Sequence, residues 1–305
     1  MTLEQQFELI KDITLVILGA LLALGSGLIL YWLEGKRERR RWQLEEERER
    51  ERERKQWIQK ALEWAATGRR RSLRRADLRE ADLRGVDLSP GEDKKDGADL
   101  SYADLSRANF HGANLQRVHL EGANLREARL WHATLQGAYL VSADLQGASL
   151  WNADLQRAHL ADADFQGADL RSANLQGADL RSANLRGASL AGANFRGADL
   201  WSANLQGASL GSANLQMANF QSADLRESSL KFADLRGANL VGANLQGADL
   251  WSANLQMANF RSADLRGTNL VGANLQGTDL RGAKADQQTI WPEGFEVPEG
   301  VVIED

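Results

Sequence analysis

Residues 168–187 read ADLRSANLQGADLRSANLRG. Leucine stands at Leu170, Leu175, Leu180 and Leu185, each with an alanine two residues before it. Working outward from there, every fifth residue from Leu100 to Leu280 is Leu or Phe, 37 positions in succession. Phe takes only Phe110, Phe165, Phe195, Phe220 and Phe260. The position two residues earlier is Ala in 33 of the 37, the exceptions being Val118, Ser228, Thr268 and Thr278. Asp or Asn usually lies between, and Gly or Ser commonly comes two residues after the Leu. The unit is Ala-(Asp/Asn)-Leu-x-x.

A period of five belongs to neither regular structure. On an α-helix a step of five rotates the side chain by about 140° net, so the leucines would wind around every side. On an unbroken strand an odd period would send them to alternate faces. The pattern works if each unit is a short extended piece followed by a corner. Ala then points in, Asp/Asn out, Leu in and the next residue out, while the Gly/Ser position turns the chain. Asp, Asn, Gly and Ser suit such corners because they tolerate unusual backbone angles and bond to nearby main chain. One unit buries only an Ala and a Leu, so stability has to come from stacking many units, and the expected fold is an all-β solenoid.

A 20-residue coil is legible as well. Residues 201–240 match 241–280 at about two-thirds identity. The residue after each Leu falls into four columns. Gln116, Gln136, Gln156, Gln176, Arg196 and Gln216 form one, and Arg126, Gln146, Gln166, Arg186, Gln206 and Arg226 another. The other two vary: Trp131, Trp151 and Trp251 lie in one, Val141 and Trp201 in the other.

These repeats run unbroken over 98–283 and extend back through Ala76-Asp77-Leu78, Ala81-Asp82-Leu83 and Val86-Asp87-Leu88, across a loop at 89–97. They closely resemble the pentapeptide-repeat family. The resemblance implies a right-handed, quadrilateral parallel β-helix over 76–283 with four units per coil. About nine coils at the usual strand spacing give a rod on the order of 45 Å long. An open solenoid end exposes core and backbone groups. Thr289–Phe295 breaks the repeat, and the segment 284–305 is expected to cap that end through Trp291 and Phe295.

The N-terminal quarter has a different composition. After residues 1–12, Ile13 to Leu33 runs 21 residues without a charge. At 1.5 Å per residue that is about 31 Å, enough to cross a hydrocarbon core. A cleaved signal peptide fits less well, because Glu4, Glu8 and Asp12 stand where a positive region is needed. Lys36, Arg37, Arg39, Arg40 and Arg41 follow the span, which places the repeats in the cytoplasm and the N-terminus outside a single-pass membrane protein. Gly19, Ala23 and Gly27 share one helix face and are candidates for close packing between two helices. Residues 34–75 read as a charged spacer helix followed by a basic patch. Ile58, Ala61, Leu62 and Ala65, with Trp57 and Trp64 beside them, form an amphipathic turn that needs something to pack on.

The chain has 305 residues, a formal charge of −5 and no cysteine, which excludes a disulfide framework and a thiolate metal site or nucleophile. No phosphate loop, nucleophile elbow or His-Glu-x-x-His pair occurs. His119 and His159 share a column about 10 Å apart, too far for one metal. The expectation is a non-enzymatic scaffold with no cofactor or metal. Its partner is an unnamed protein or a second copy, met through exposed Trp131, Trp151, Trp201 and Trp251. The family resemblance also implies an alternative, mimicry of duplex DNA in modulating DNA gyrase. Residues 98–283 carry 17 Asp+Glu against 15 Lys+Arg, which weighs against mimicry and against nucleic-acid binding.

Overall fold

The computed structural model describes residues 3–67, 72–90 and 96–304. Within the N-terminal helix it describes the side chains of Lys11, Thr14–Val16, Trp32, Glu34–Glu63 and Ala65. The chain divides into Met1–Glu53 and Arg54–Asp305.

Helix α1 (Leu3–Thr67) is one element of 65 residues. It carries the apolar stretch and the charged stretch in one continuous helix that Gly35 does not interrupt. Most side chains of the expected span at 13–33, and those at Gly19, Ala23 and Gly27, lie outside the described residues. Among the described residues, no helix is long and apolar enough to cross a membrane.

The second unit is a parallel β-helix. Backbone bridges join the residue before a repeat Leu or Phe to its counterpart one coil on, 20 residues later through the regular coils, for example Asn124 to Asp144 and Asn184 to Asn204. In the first coil the step is 27, as from Asp77 to Asp104, because the loop leaving at Leu88 and rejoining at Ala98 inserts seven extra residues. Four bridges per coil define four sides. The first corner follows the leucines numbered 100, 120 and so on, the second 105, the third 110 and the fourth 115.

One unit shows how the coils close. Ala123 N–H donates to Leu120 O within the turn (3.0 Å), and Asn124 N–H to Ala103 O of the coil before (2.9 Å). Leu125 and Glu127 N–H donate to Asp144 O (2.6 Å) and Gln146 O (2.9 Å) of the coil after. Arg126 N–H donates to the side-chain oxygen of Asn124 (3.2 Å). Every amide of the unit has a partner, as buried main chain requires. The Asp/Asn position therefore serves as the acceptor that the turn's own backbone lacks.

The turn demands positive φ at its third residue, the type II pattern. All 37 such positions from Tyr102 to Gly282 have it, 17 as glycine and 20 as other residues. Leu, Phe and Ala fill the interior, with the five phenylalanines that replace a repeat Leu at most 1% exposed. The departures from Ala are internally satisfied. Ser228 Oγ donates to Leu225 O (2.6 Å), and Thr268 and Thr278 Oγ1 donate to Leu245 O and Leu255 O of the preceding coil (2.9 Å each).

Both ends are covered. Trp57, Ile58, Ala61 and Ala65 of α1 pack on the core at the first coil, whereas Leu62 is 48% exposed, a correction to the four-residue stripe read from sequence. At the other end β1 (Lys284–Ala285) pairs in parallel with β2 (Val302–Ile303). Trp291 and Phe295 stack at 5.5 Å and pack against the core.

A bulky side chain at the left-handed position runs over the same position of the next coil. A Cβ on Gly122 would lie 2.7 Å from the Tyr102 ring, while one on Gly112 would meet nothing within 4 Å. Gly112→Ala should then cost about 1 kcal/mol, the penalty for a Cβ in left-handed backbone, and Gly122→Ala distinctly more. Parallel urea denaturation of the two variants checks the order, and equal midpoints would contradict it.

Candidate interaction face at a solenoid corner

The main chain is consumed by coil stacking, so recognition has to come from corner and side-column side chains. Much of that surface is bonded within itself. Each Asp-Leu-Arg sequence folds its arginine back onto its own aspartate: Arg171 on Asp169 and Arg181 on Asp179 through paired contacts of 2.7–2.8 Å, and likewise Arg226 on Asp224, Arg236 on Asp234 and Arg281 on Asp279. Asparagines form ladders along the axis, as from Asn219 to Asp199 (2.8 Å) and Asn239 to Asn219 (3.0 Å).

The third corner differs. Trp131 and Trp151 occupy successive coils of one column, 40% and 38% exposed. The ring of His111 meets Trp131 at 5.1 Å and His132 at 5.8 Å, and His132 meets Trp151 at 4.8 Å, all edge to face. His111 Nδ1–H also donates to Trp131 O (3.1 Å). Four rings thus make a continuous ridge across three coils. Edge-to-face contacts add attraction beyond buried area and hold the rings in place. Trp251 sits farther along the same corner, edge to face with Phe232 at 4.7 Å. Trp201 is on the first corner, 44% exposed, without a ring contact among the described residues. The four expected tryptophans are therefore not one patch.

His111 and His132 belong to no sequence motif. Their signal was position: His111 shares the tryptophan column, and His132 directly follows Trp131 at the left-handed position of the same corner. His119, Tyr139 and His159 stack face to face in one column at 4.6 and 4.9 Å, with interplanar angles of 9° and 3°. His119 Nδ1–H donates to Glu121 (2.9 Å). Among the described residues no group of three or more His, Asp or Glu is placed to hold a metal ion. Arg74 lies over the Tyr102 ring at 5.1 Å, while Arg69–Arg71 fall outside the described residues.

With this geometry in hand, comparison with known proteins is direct. The family model for pentapeptide repeats matches in eight copies over residues 72–89, 96–201 and 203–282. The chain belongs to the pentapeptide-repeat family. Its parallel coils are accordingly those of a right-handed β-helix. It is similar to HetL of the cyanobacterium Nostoc sp. strain PCC 7120, a pentapeptide-repeat protein involved in heterocyst differentiation regulation. That match has 38% identity over 73% of this chain and 94% of HetL, with a TM-score of 0.49. A second Nostoc pentapeptide-repeat protein, alr5209, shares 43% identity over 33% of this chain and 84% of its own (TM-score 0.33). QnrB1, a plasmid-mediated fluoroquinolone resistance protein, is 18% identical over 70% of this chain and 94% of its own (TM-score 0.39). No curated protein matches the chain.

The Asp-Leu-Arg pairs have a pH consequence. The hydrogen bond from each arginine holds the Asp169, Asp179, Asp224 and Asp234 carboxyls below their usual range, and Asp279 at about 2. A folded pKa below the unfolded value gives stability that is present above about pH 4 and lost as pH falls through the folded pKa. Thermal denaturation should be flat from about pH 7 to 5 and decline between about pH 4 and 2. Asp279→Asn should remove part of that decline, and salt should shrink it because the pairs are exposed.

Proposed function

We propose that the protein is a non-enzymatic, membrane-anchored scaffold that offers its β-helix to a protein partner or to a second copy of itself. The observation carrying this reading is the His111–Trp131–His132–Trp151 ridge. Exposed aromatic clusters are favoured at interfaces, and the surrounding columns are Asp–Arg pairs, Gln–Asp bonds and Asn ladders that already satisfy one another. Nothing in the site calls for a nucleophile, a general base or a cofactor. The relative HetL, named for a part in regulating differentiation, is compatible with such a role.

Gyrase modulation by DNA mimicry has less support. A mimic needs acidic columns that stay uncompensated, and here the arginine two residues on neutralises each Asp-Leu-Arg aspartate.

Membrane anchoring enters the proposal from sequence alone: the uncharged stretch Ile13–Leu33, the basic residues after it and the small-residue face of Gly19, Ala23 and Gly27. On this reading the β-helix is cytoplasmic. Alkaline extraction of native membranes should leave the full-length protein in the pellet, and its release would remove the anchor from the account while leaving the ridge untouched.

Affinity capture of the full-length protein from native membranes, with Trp131→Ser/Trp151→Ser as control, tests the ridge. A partner or second copy should be recovered with the wild type and lost with the double variant at unchanged folding. Equal recovery in both would show that these tryptophans are structural, and recovery of gyrase in both would favour the mimic.

A further inference from the structure

The fourth corner carries a different feature. Its left-handed column reads Arg117, Gly137, Arg157 and Gly177 in successive coils, so a glycine notch lies between two arginines. A surface groove of about 530 Å³ opens there, lined by Asp96, Arg117, Gly137, Tyr139, Arg157 and His159. That volume lies within the usual range for small-molecule sites. Pro90 and Asp96 belong to the repeat's seven-residue insertion, and Pro90 borders the adjoining groove beside Arg117 and Arg157.

Three observations give the groove a chemistry. First, Arg157 makes no ion pair among the described residues, unlike the Asp-Leu-Arg arginines, because the residue two before it is Leu155. Its guanidinium is available to a ligand. Second, the rings of Tyr139 and His159 are stacked at 4.9 Å with an interplanar angle of 3°, so their faces cover each other. As lining residues they offer the groove their edges, the Tyr139 hydroxyl and one imidazole N–H of His159, as hydrogen-bond donors. Third, a Cβ at position 137 would stand 3.5 Å from Arg117 Cγ, so glycine keeps the notch open. Among the described residues, the acidic groups Glu121, Asp179 and Asp154 are committed to His119, to Arg181, and to Gln136 and Gln156. Asp96 is the carboxylate among the described residues of the lining.

We infer that this groove binds the phosphate group of a small phosphate monoester, with Arg157 as its charged anchor and Tyr139 and His159 as donors. A forked guanidinium matches a tetrahedral oxyanion geometrically as well as in charge. The ring edges reward an acceptor-rich group, which an apolar ligand cannot supply. The site is on a different corner from the aromatic ridge and does not depend on it.

Titration calorimetry of the full-length protein in non-ionic detergent tests this with phenyl phosphate, inorganic phosphate and acetate as probes. Phenyl phosphate should bind with at least tenfold preference over acetate. Arg157→Gln should weaken it at least tenfold, and Gly137→Asn, a residue that tolerates left-handed backbone, should weaken it by filling the notch. Arg196→Gln, a control on the same corner outside the groove, should leave binding unchanged. Unchanged thermal midpoints would establish that the variants fold. Binding of inorganic phosphate as tight as phenyl phosphate would overturn the monoester in favour of the free ion. No binding, or equal binding by Arg157→Gln, would overturn the site.

Discussion

A chain that turns a corner every five residues must place the third residue of each turn in left-handed backbone, and the solenoid meets that demand at 37 consecutive turns. Glycine removes the cost at 17 of them and other residues bear it at 20. What offsets the cost is the neighbouring coil. Three of the five amides of a unit are bonded to coils before and after, one to the turn itself and one to the Asp/Asn side chain. No unit could hold this shape alone, which is the logic of a repeat whose stability is mostly nearest-neighbour contact.

That closure decides where function can reside. Interior positions are set by packing, and the Asp/Asn column is needed by the backbone of its own turn. The two residues after each Leu are the least constrained. It is there that the third corner gathers tryptophan and histidine and the fourth corner alternates arginine with glycine. The solenoid ends are excluded from free surface, since α1 residues 57, 58, 61 and 65 lie on one end and the Trp291–Phe295 pair with β1 and β2 on the other.

Much of this was legible in the chain. The five-residue spacing gives the inward Ala and Leu, the 20-residue similarity gives the four corners, and the column of Trp131 and Trp151 gives an exposed face. The remainder depended on partners one coil away. Leu62 lies at a core spacing, yet it points outward because the helix end touches the first coil along a narrower stripe than the pattern drew. Histidines isolated in sequence become contacts because His111 and Trp131 are 20 residues apart, one coil. The pairing of each Asp-Leu-Arg aspartate with its own arginine is implicit in the sequence, since both project outward from one corner. Net charge alone concealed it.

Hydroxyl-radical footprinting of the protein in its native membranes, set against the purified protein, addresses the interaction face most directly. Trp131 and Trp201 are similarly exposed, at 40% and 44%, so they should be oxidised to similar extents when the protein is alone. The account predicts protection of Trp131 and Trp151 in the membrane sample with Trp201 unchanged. Equal oxidation of all three in both samples, or protection confined to Trp201, would contradict it.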